Sequence, residues 1–314
     1  MIYMDKKSRS IIFILVAICF IGISACSTST PANKRLSATN NGKPKVLATT
    51  TIVGDVVRQI GDEHIELTVL LPAGSDPHSF EPTPKDIATV ADADAIFLNG
   101  AGLEEFMIPL HENIQDGTLV VDLSDGLDLQ SAPKEGKENQ YDPHVWMDPN
   151  NVIKWVGNIE TNLSQLDPSH SNDFKTNAGA YRQALTDLDA WVQDKVGQIP
   201  ESQRKLVSDH YFFGYFASHY GFEVVGASIP SFSTLAEPDA QELADLEDSI
   251  TKLGVGAIFV GNTVNPTLAD RLAEDTGIKV VPIYTGSLSE ADGPADTYLD
   301  YIRYNINAIV DALK

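Results

Sequence analysis

Short aliphatic runs alternate with stretches of helical periodicity along the chain from Lys45 onward. The runs VLATTTIV, IELTVLL, DAIFLN and TLVVDL predict strands, and TPKDIATVADA and GLEEFMIPLHENI between them space their apolar residues about 3.6 positions apart. A second strand series, KLVSDH, FEVVGA, GAIFVG and IKVVPIY, begins near Lys205. Such alternation is typical of parallel sheets whose strands are buried on both faces. We therefore predict an α/β fold with two lobes, each a mostly parallel sheet flanked by helices.

One long helix is predicted between the two strand series. Asp167 and Pro168 form a helix-start signal, with Asp as the cap and Pro at the first helical position. An apolar stripe at steps of three and four follows, at Phe174, Ala178, Tyr181, Leu185, Leu188, Val192 and Val196. We therefore assign an N-terminal lobe to residues 45–166, a rigid linking helix to 167–199 and a C-terminal lobe to 200–314.

The N-terminus has the features of an export signal. Basic residues at positions 6, 7 and 9 precede an uncharged run from Ile11 to Ala25, which is too short to span the ~30 Å hydrocarbon core as a helix. The run ends in ISAC, which resembles a lipobox, so we predict a signal peptide over residues 1–25 and lipidation of Cys26. An ordinary signal peptide with a stray cysteine is the alternative. The polar residues 26–44 are expected to be a flexible tether, which predicts an extracytoplasmic protein anchored to the cell membrane.

The charge of the chain excludes some classes of partner. Its 314 residues include 44 acidic and only 22 basic side chains, for a formal net charge of −22. Binding to nucleic acid or to an anionic lipid surface needs clustered Lys and Arg. An acidic field instead raises the local concentration of small cations.

Three of the seven histidines stand in unusual contexts. His78 lies in PAGSDPHSFEPTP, His144 in YDPHVWMDP, and His210 at the end of the strand KLVSDH. All three are expected at junctions that lead from a strand into a helix, where open α/β sheets bind ligands. Neutral imidazole suits Zn²⁺, so a metal site between the lobes is predicted. The neighbouring carboxylates that could orient the rings are Asp76, Asp142 and Asp209.

The remaining histidines do not share this setting. His219 follows His210 by nine residues, which on a helix places it about half a turn away. We expect His64, His111 and His170 to be surface residues.

The chain resembles the solute-binding lipoproteins of ABC importers for zinc and manganese (cluster A-I). The resemblance rests on the segments ISAC, PAGSDPHSFEPTP and DPHVWMDP, on the long helix and on the strand–His–helix segment. The resemblance covers the chain from about Lys45 to Lys314. It implies two α/β lobes joined by a rigid helix, metal held between the lobes and delivered to a membrane permease, and no enzyme activity. Matched position by position, His78, His144 and His210 correspond to the family's metal ligands.

Two positions depart from the family's pattern. Many members have an aspartate as the fourth ligand where this chain has Gly286, and an acidic residue where it has Gly261. The fourth ligand is then Glu290, Asp292 or water. A third ligand that is histidine rather than glutamate is typical of zinc-type members, and nitrogen-rich sites favour zinc whereas carboxylate oxygen suits Mn²⁺. Zn²⁺ is therefore the expected metal.

Three further functions stay open from the sequence. A manganese or iron importer protein of the same type is the first. An adhesin, a label that family lipoproteins often carry, is the second; FFGYF after His210 is its candidate patch but is more typical of a core. Zinc hydrolysis with Glu81 as general base is the third, and the chain has no HExxH motif to support it. We expect a monomer that binds no nucleic acid.

Overall fold

The computed structural model describes residues 42–131 and 140–314. The predicted signal peptide, Cys26 and most of the tether lie outside the described residues. Four strands form the first sheet, in the spatial order β2–β1–β3–β4, and every pairing is parallel. These strands are β1 (Lys45–Ala48), β2 (Glu66–Val69), β3 (Ala95–Leu98) and β4 (Leu119–Asp122).

The second sheet repeats this topology. Its spatial order is β6–β5–β7–β8, and all of its pairings are again parallel. The strands are β5 (Lys205–His210), β6 (Glu223–Ile229), β7 (Ala257–Gly261) and β8 (Lys279–Ile283). In both sheets the strand order reverses beside the first strand, and ligands of open α/β sheets bind outside the carboxyl ends of strands at such points.

Eight α-helices surround the two sheets in the described part of the chain. They are α1 (Thr51–Gly61), α2 (Pro84–Ala91), α3 (Pro149–Leu166), α4 (Ser171–Val196), α5 (Gly214–Tyr220), α6 (Ala240–Leu253), α7 (Thr267–Thr276) and α8 (Tyr298–Leu313). None of the helices described has both the length and the apolar character that crossing a membrane requires.

The buried apolar side chains form one continuous core and two smaller ones. The large core joins one face of each sheet with α1, α3, α4, α5 and α8. A smaller cluster lies on the other face of the first sheet beneath α2, and another lies on the other face of the second sheet beneath α6 and α7. Both sheets are therefore buried on two faces, which confirms the predicted fold class. The lobe boundaries at 166 and 200 stay a prediction, because the large core runs across them.

The long helix α4 packs against α1, α3 and α8. All seven residues of the predicted apolar stripe are buried. Asp167 does cap the start, since its carboxylate accepts a hydrogen bond from the Ser169 amide at 3.1 Å. The first turn, however, is a 3-10 helix over Pro168–His170, and the α-helix of 26 residues begins at Ser171.

Two local predictions were wrong. Thr51, Ile52 and Val53 were expected to continue the first strand but belong to α1, where the Thr50 hydroxyl accepts a hydrogen bond from the Val53 amide at 3.2 Å. This N-cap outweighs the β propensity of the run. The segment Glu105–Asn113 is a 3-10 helix rather than an α-helix. Pro109 lies inside it, and proline removes an amide donor from a helix and clashes with the preceding turn.

A partly buried carboxyl group closes the turn that follows β3. Glu104 accepts hydrogen bonds from the Thr49 hydroxyl at 2.8 Å and from the amides of Asn99 and Gly100 at 2.7 and 3.1 Å. Burial raises the pKa of Glu104 to about 7, although these hydrogen bonds oppose the shift. The glutamate therefore holds the turn together at the reversal point of the first sheet.

The first prediction concerns the core face of α4. Leu188 is fully buried there, and Leu188→Ala is expected to lower the free energy of unfolding by about 2–5 kcal/mol because it leaves a cavity. Lys175→Ala, at an exposed position of the same helix, should change it by less than about 0.5 kcal/mol. Urea unfolding measures both. Equal effects of the two substitutions would contradict the assigned face.

The second prediction concerns Glu104. Its pKa in the folded state, about 7, lies above the unfolded value of about 4.3, so its contribution to stability is fully present below about pH 4.3 and is lost as the pH rises through 7. Relative to Glu104→Gln, the wild type should therefore lose roughly 2–3 kcal/mol of unfolding free energy between pH 5 and pH 8.5. Urea unfolding at both pH values checks this. Glu105→Gln, at the exposed neighbouring residue, is the control and should show no such change. A constant difference between wild type and Glu104→Gln would contradict the raised pKa.

Candidate metal centre

A loop between β2 and α2 carries His78. The carboxylate of Asp76 accepts a hydrogen bond from the His78 amide at 3.1 Å. Its other oxygen accepts one from the Thr234 hydroxyl at 2.6 Å, in the loop after β6. Asp76 therefore fixes the main chain of the loop and links it to the second half of the molecule. The hydrogen bonds of Asp76 within the described residues do not include one to the His78 ring.

A buried carboxylate holds His144, which precedes the 3-10 turn Val145–Met147 that leads into α3. Asp142 accepts hydrogen bonds from the His144 amide at 2.9 Å and from the ring Nδ1 at 2.8 Å. The preceding Pro143 carbonyl accepts one from the Asn99 side chain at 3.0 Å. From the second half, the Tyr215 hydroxyl donates to the Asp142 carbonyl at 2.9 Å. The main chain and the ring of His144 are thus both constrained.

His210 is the last residue of β5, at the point where the order of the second sheet reverses. Its Nδ1 is hydrogen-bonded to Oδ1 of the adjacent Asp209. Oδ2 of Asp209 accepts a hydrogen bond from the Gly261 amide at the end of β7. The sheet itself therefore orients the carboxylate that orients the His210 ring.

The three imidazoles converge. Nε2 of His144 lies 3.2 Å from Nε2 of His78 and 3.3 Å from Nε2 of His210. The ligand atoms of all three lie within 4.8 Å of one another. Zn–N bonds measure about 2.0–2.1 Å, so two nitrogens at tetrahedral positions lie about 3.3–3.4 Å apart. The observed separations match a common metal ion.

The protonation pattern creates a place for a cation. Nδ1 of His144 and of His210 each faces a carboxylate oxygen, so in the neutral rings the proton is on Nδ1 and the Nε2 lone pairs face each other. Two lone pairs at 3.3 Å repel unless a positive charge lies between them. The Asp–His pairs also resemble the carboxylate–histidine arrangement that orients metal ligands in general.

Burial favours the neutral form of two of the three rings, His78 and His144. Desolvation, followed by the proximity of the other histidines, holds the pKa of His78 and of His144 well below the usual imidazole value. His144 and His210 are almost fully buried. Desolvation also raises the pKa of Asp142 to about 7. Because a metal ligand must be deprotonated, neutral imidazoles at neutral pH favour metal binding.

A cavity of about 630 Å³ opens beside His78. Its lining includes Pro143 from the first half of the chain and Phe232 and Ser233 from the second. His78 is thus the one histidine of the three that borders this space.

Glycines occupy the two positions at which the resemblance leads to an acidic residue. A Cβ at Gly286 would lie 2.7 Å from Cδ of Pro77, next to His78. A Cβ at Gly261 would overlap the hydroxyl of Thr285. Both positions therefore need glycine in the present packing, and a carboxylate at either would have to displace its neighbour.

The candidate fourth ligands Glu290 and Asp292 lie in an exposed loop. Within the described residues, neither belongs to the group of side chains that surrounds the three nitrogens. The amide of Asp292 is instead hydrogen-bonded to Asp296 at 3.1 Å.

The other four histidines lie outside the three-histidine group. His64 and His170 stack at 4.1 Å between ring centroids, and His111 is exposed. His219 points away from the three-histidine group, as its spacing indicates, but it meets two carboxylates elsewhere. That second group was not predicted, because Asp148, Asp189 and His219 are far apart along the chain.

The chain is similar to known proteins along almost its whole length. The family model for the zinc-uptake complex component A, periplasmic (ZnuA), matches residues 46–312. The manganese-binding lipoprotein MntA of Halalkalibacterium halodurans is 33% identical over 99% of this chain and 100% of its own length.

Solved structures show the same fold. The periplasmic zinc-binding protein TroA of Treponema pallidum is 29% identical, with a TM-score of 0.81 over 87% of this chain and 99% of its own. The Mn-bound periplasmic metal-binding protein of Candidatus Liberibacter asiaticus is 27% identical, with a TM-score of 0.79 over 87% of this chain and 100% of its own. Given the length of the family match and the identity to MntA, the chain belongs to the ZnuA family, whose members are substrate-binding proteins of metal ABC importers rather than enzymes.

Proposed function

We propose that this protein captures Zn²⁺ outside the cytoplasm and delivers it to the permease of an ABC importer. The metal is held by Nε2 of His78, His144 and His210, with water or a residue not yet assigned in the fourth position. One observation carries the proposal: Nε2 of His144 lies 3.2 and 3.3 Å from the other two Nε2 atoms, and Nδ1 faces a carboxylate in two of the three rings.

The donor set favours zinc over manganese. Three imidazole nitrogens suit Zn²⁺, whereas Mn²⁺ suits sites rich in carboxylate oxygen. Gly286 and Gly261 supply no oxygen ligand, and Glu290 and Asp292 stand outside the group within the described residues. Manganese remains the second candidate for a specific reason, since the relative MntA is named manganese-binding and the Liberibacter protein was solved with Mn bound.

Capture and transfer place different demands on the site. Buried Asp142 and Asp209 orient two rings, so the rings lose little conformational entropy when the ion binds. His78 borders the cavity and stands on a loop held by Asp76. We propose that this loop is the part of the site that yields when the permease takes the ion.

The anchor completes the proposed role. Relatives such as MntA are named lipoproteins and match 99% of this chain. We propose that Cys26 carries the lipid and that residues 26–44 tether the folded body to the membrane surface. The divalent ion, the membrane and the permease are then its partners.

The adhesin and hydrolase hypotheses find less support. Phe212, Phe213 and Phe216 of the FFGYF segment are buried, so they offer no adhesive surface. Glu81, the candidate base of a hydrolase, is exposed in the loop after His78, and the family consists of binding proteins.

The third prediction tests the ligands. Replacing His78, His144 or His210 singly with Ala should weaken Zn²⁺ binding by at least about 100-fold, and Asp142→Asn by about 10–100-fold because a neutral amide orients the ring more weakly than a carboxylate. Isothermal titration calorimetry at pH 7.5 measures the tight binding event, with thermal unfolding as a check on folding. His111→Ala, at an exposed histidine, is the control and should bind as the wild type does. Unchanged zinc affinity in the triple Ala variant would refute the assignment.

The fourth prediction tests the metal. Protein stripped of metal and dialysed against equal micromolar Zn²⁺ and Mn²⁺ should retain zinc almost exclusively when analysed by mass spectrometry of the elements. Because zinc outcompetes manganese at most sites, Mn²⁺ is also titrated alone. We expect its affinity to be at least about 1,000-fold weaker than that of Zn²⁺. Manganese affinity within about tenfold of zinc would favour manganese as the cargo.

A further inference from the structure

A second group of potential metal ligands lies where α3, α4 and α5 meet. Asp148 caps the start of α3, Asp189 lies on α4 and His219 on α5. One ligand atom from each lies within 4.8 Å of the others. We propose that this group is a second, weaker binding site for a divalent cation, with His219 Nε2 and the Asp189 carboxylate as ligands.

The orientation of the imidazole leaves the outer nitrogen free for a metal. Nδ1 of His219 lies 2.8 Å from Oδ2 of Asp148, so the neutral ring donates its proton there and keeps a lone pair on Nε2. The ring also stacks on Tyr220, with centroids 4.4 Å apart and planes 18° from parallel. Asp148 therefore has the orienting role toward His219 that Asp142 has toward His144.

The free nitrogen faces a carboxylate at a distance suited to a shared ion. Nε2 of His219 lies 3.6 Å from Oδ1 of Asp189, which is too long for a hydrogen bond. Ligands at about 2.0–2.2 Å from a metal are separated by about 3.3–3.6 Å at angles near tetrahedral. Water would supply the remaining positions, which makes the site weaker than one with three histidines.

Charge supports a cation at this position. Asp189 accepts hydrogen bonds from neutral donors, namely the Tyr220 hydroxyl at 2.7 Å and the side chains of Asn150 and Gln193 at 3.1 and 2.8 Å. Among the ion pairs of the described residues, no Lys or Arg contacts Asp148 or Asp189. The His219 side chain is 27% exposed, so an ion can reach the group from solvent.

The second site lies next to two of the segments that form the three-histidine site. Asp148 follows His144 by four residues, and α5, which carries His219, begins four residues after His210. A bound ion would therefore join the two segments that carry the most buried ligands of the three-histidine site. Its occupancy should stiffen both segments without contacting the first ion.

Calorimetric titration of the full chain with Zn²⁺ alone, at pH 7.5, tests the proposal. We expect two classes of site, one tight and one at least about 100-fold weaker. His219→Gln and Asp189→Asn should each abolish the weak class and keep the tight one. The triple variant with Ala at positions 78, 144 and 210 should keep the weak class. His111→Gln is the matched control and should retain both classes.

Two binding results and one stability result would overturn the proposal. One is a single class of site in the wild type at millimolar zinc. The other is a weak class that persists in both His219→Gln and Asp189→Asn. The third result is a loss of thermal stability in His219→Gln that is equally large with and without excess zinc. His219 would then only link the helices by hydrogen bonds, which contradicts a metal site. Because the tight class depends on other residues, these failures are separate from failure of the proposed import function.

Discussion

The proposed metal site depends on a close approach of imidazole nitrogens, and a cation between them would relieve the repulsion of their lone pairs. Nδ1 of His144 and of His210 faces the buried carboxylates Asp142 and Asp209, so in the neutral rings the Nε2 lone pairs meet at 3.3 Å. A third imidazole, from His78, approaches one of them at 3.2 Å. Such an arrangement costs free energy in a dry environment, and the continuous core that spans both sheets and α4 keeps it in place. Binding of an ion therefore relieves a repulsion that the fold maintains.

The three histidines are held with unequal firmness. His210 ends a buried strand and His144 precedes a long helix, and both lie against the large core. His78 lies on a loop outside the strands and helices, and hydrogen bonds from the Thr234 hydroxyl to Asp76 and from the Gly74 amide to Ser287 join this loop to the second half of the chain. We propose that His144 and His210 form a fixed base and that His78 moves with its loop when the ion is released. An importer protein must bind its ion tightly and later release it, and a site with two firmly held ligands and one mobile ligand suits both steps.

Much of the fold was predictable from local pattern. Short β-rich runs identified the eight strands of the described residues. The stripe on α4 also identified its buried face, because a 3.6-residue period corresponds to one side of a helix. The predicted boundaries and helix types were wrong where a local hydrogen bond or a proline outweighed the hydrophobic pattern. The Thr50 cap started a helix inside a β-rich run, and Pro109 kept Glu105–Asn113 from forming an α-helix.

The site was predictable in kind more than in detail. Asp-Pro-His motifs and a strand-ending histidine marked the three residues that the structure brings together. The roles of the neighbouring carboxylates were not readable, since Asp142 and Asp209 reach rings while Asp76 reaches an amide and Thr234. Those differences arise from tertiary packing. For the same reason nothing in the sequence indicated that His219 would meet Asp148 and Asp189.

X-ray absorption at the zinc edge, on protein loaded with one equivalent of Zn²⁺, identifies the atoms that bind the ion. We expect three imidazole nitrogens at about 2.0–2.1 Å, with the outer-shell scattering of the rings, and one further light atom. A first shell dominated by oxygen, or one with fewer than three imidazoles, would contradict a common ion held by His78, His144 and His210.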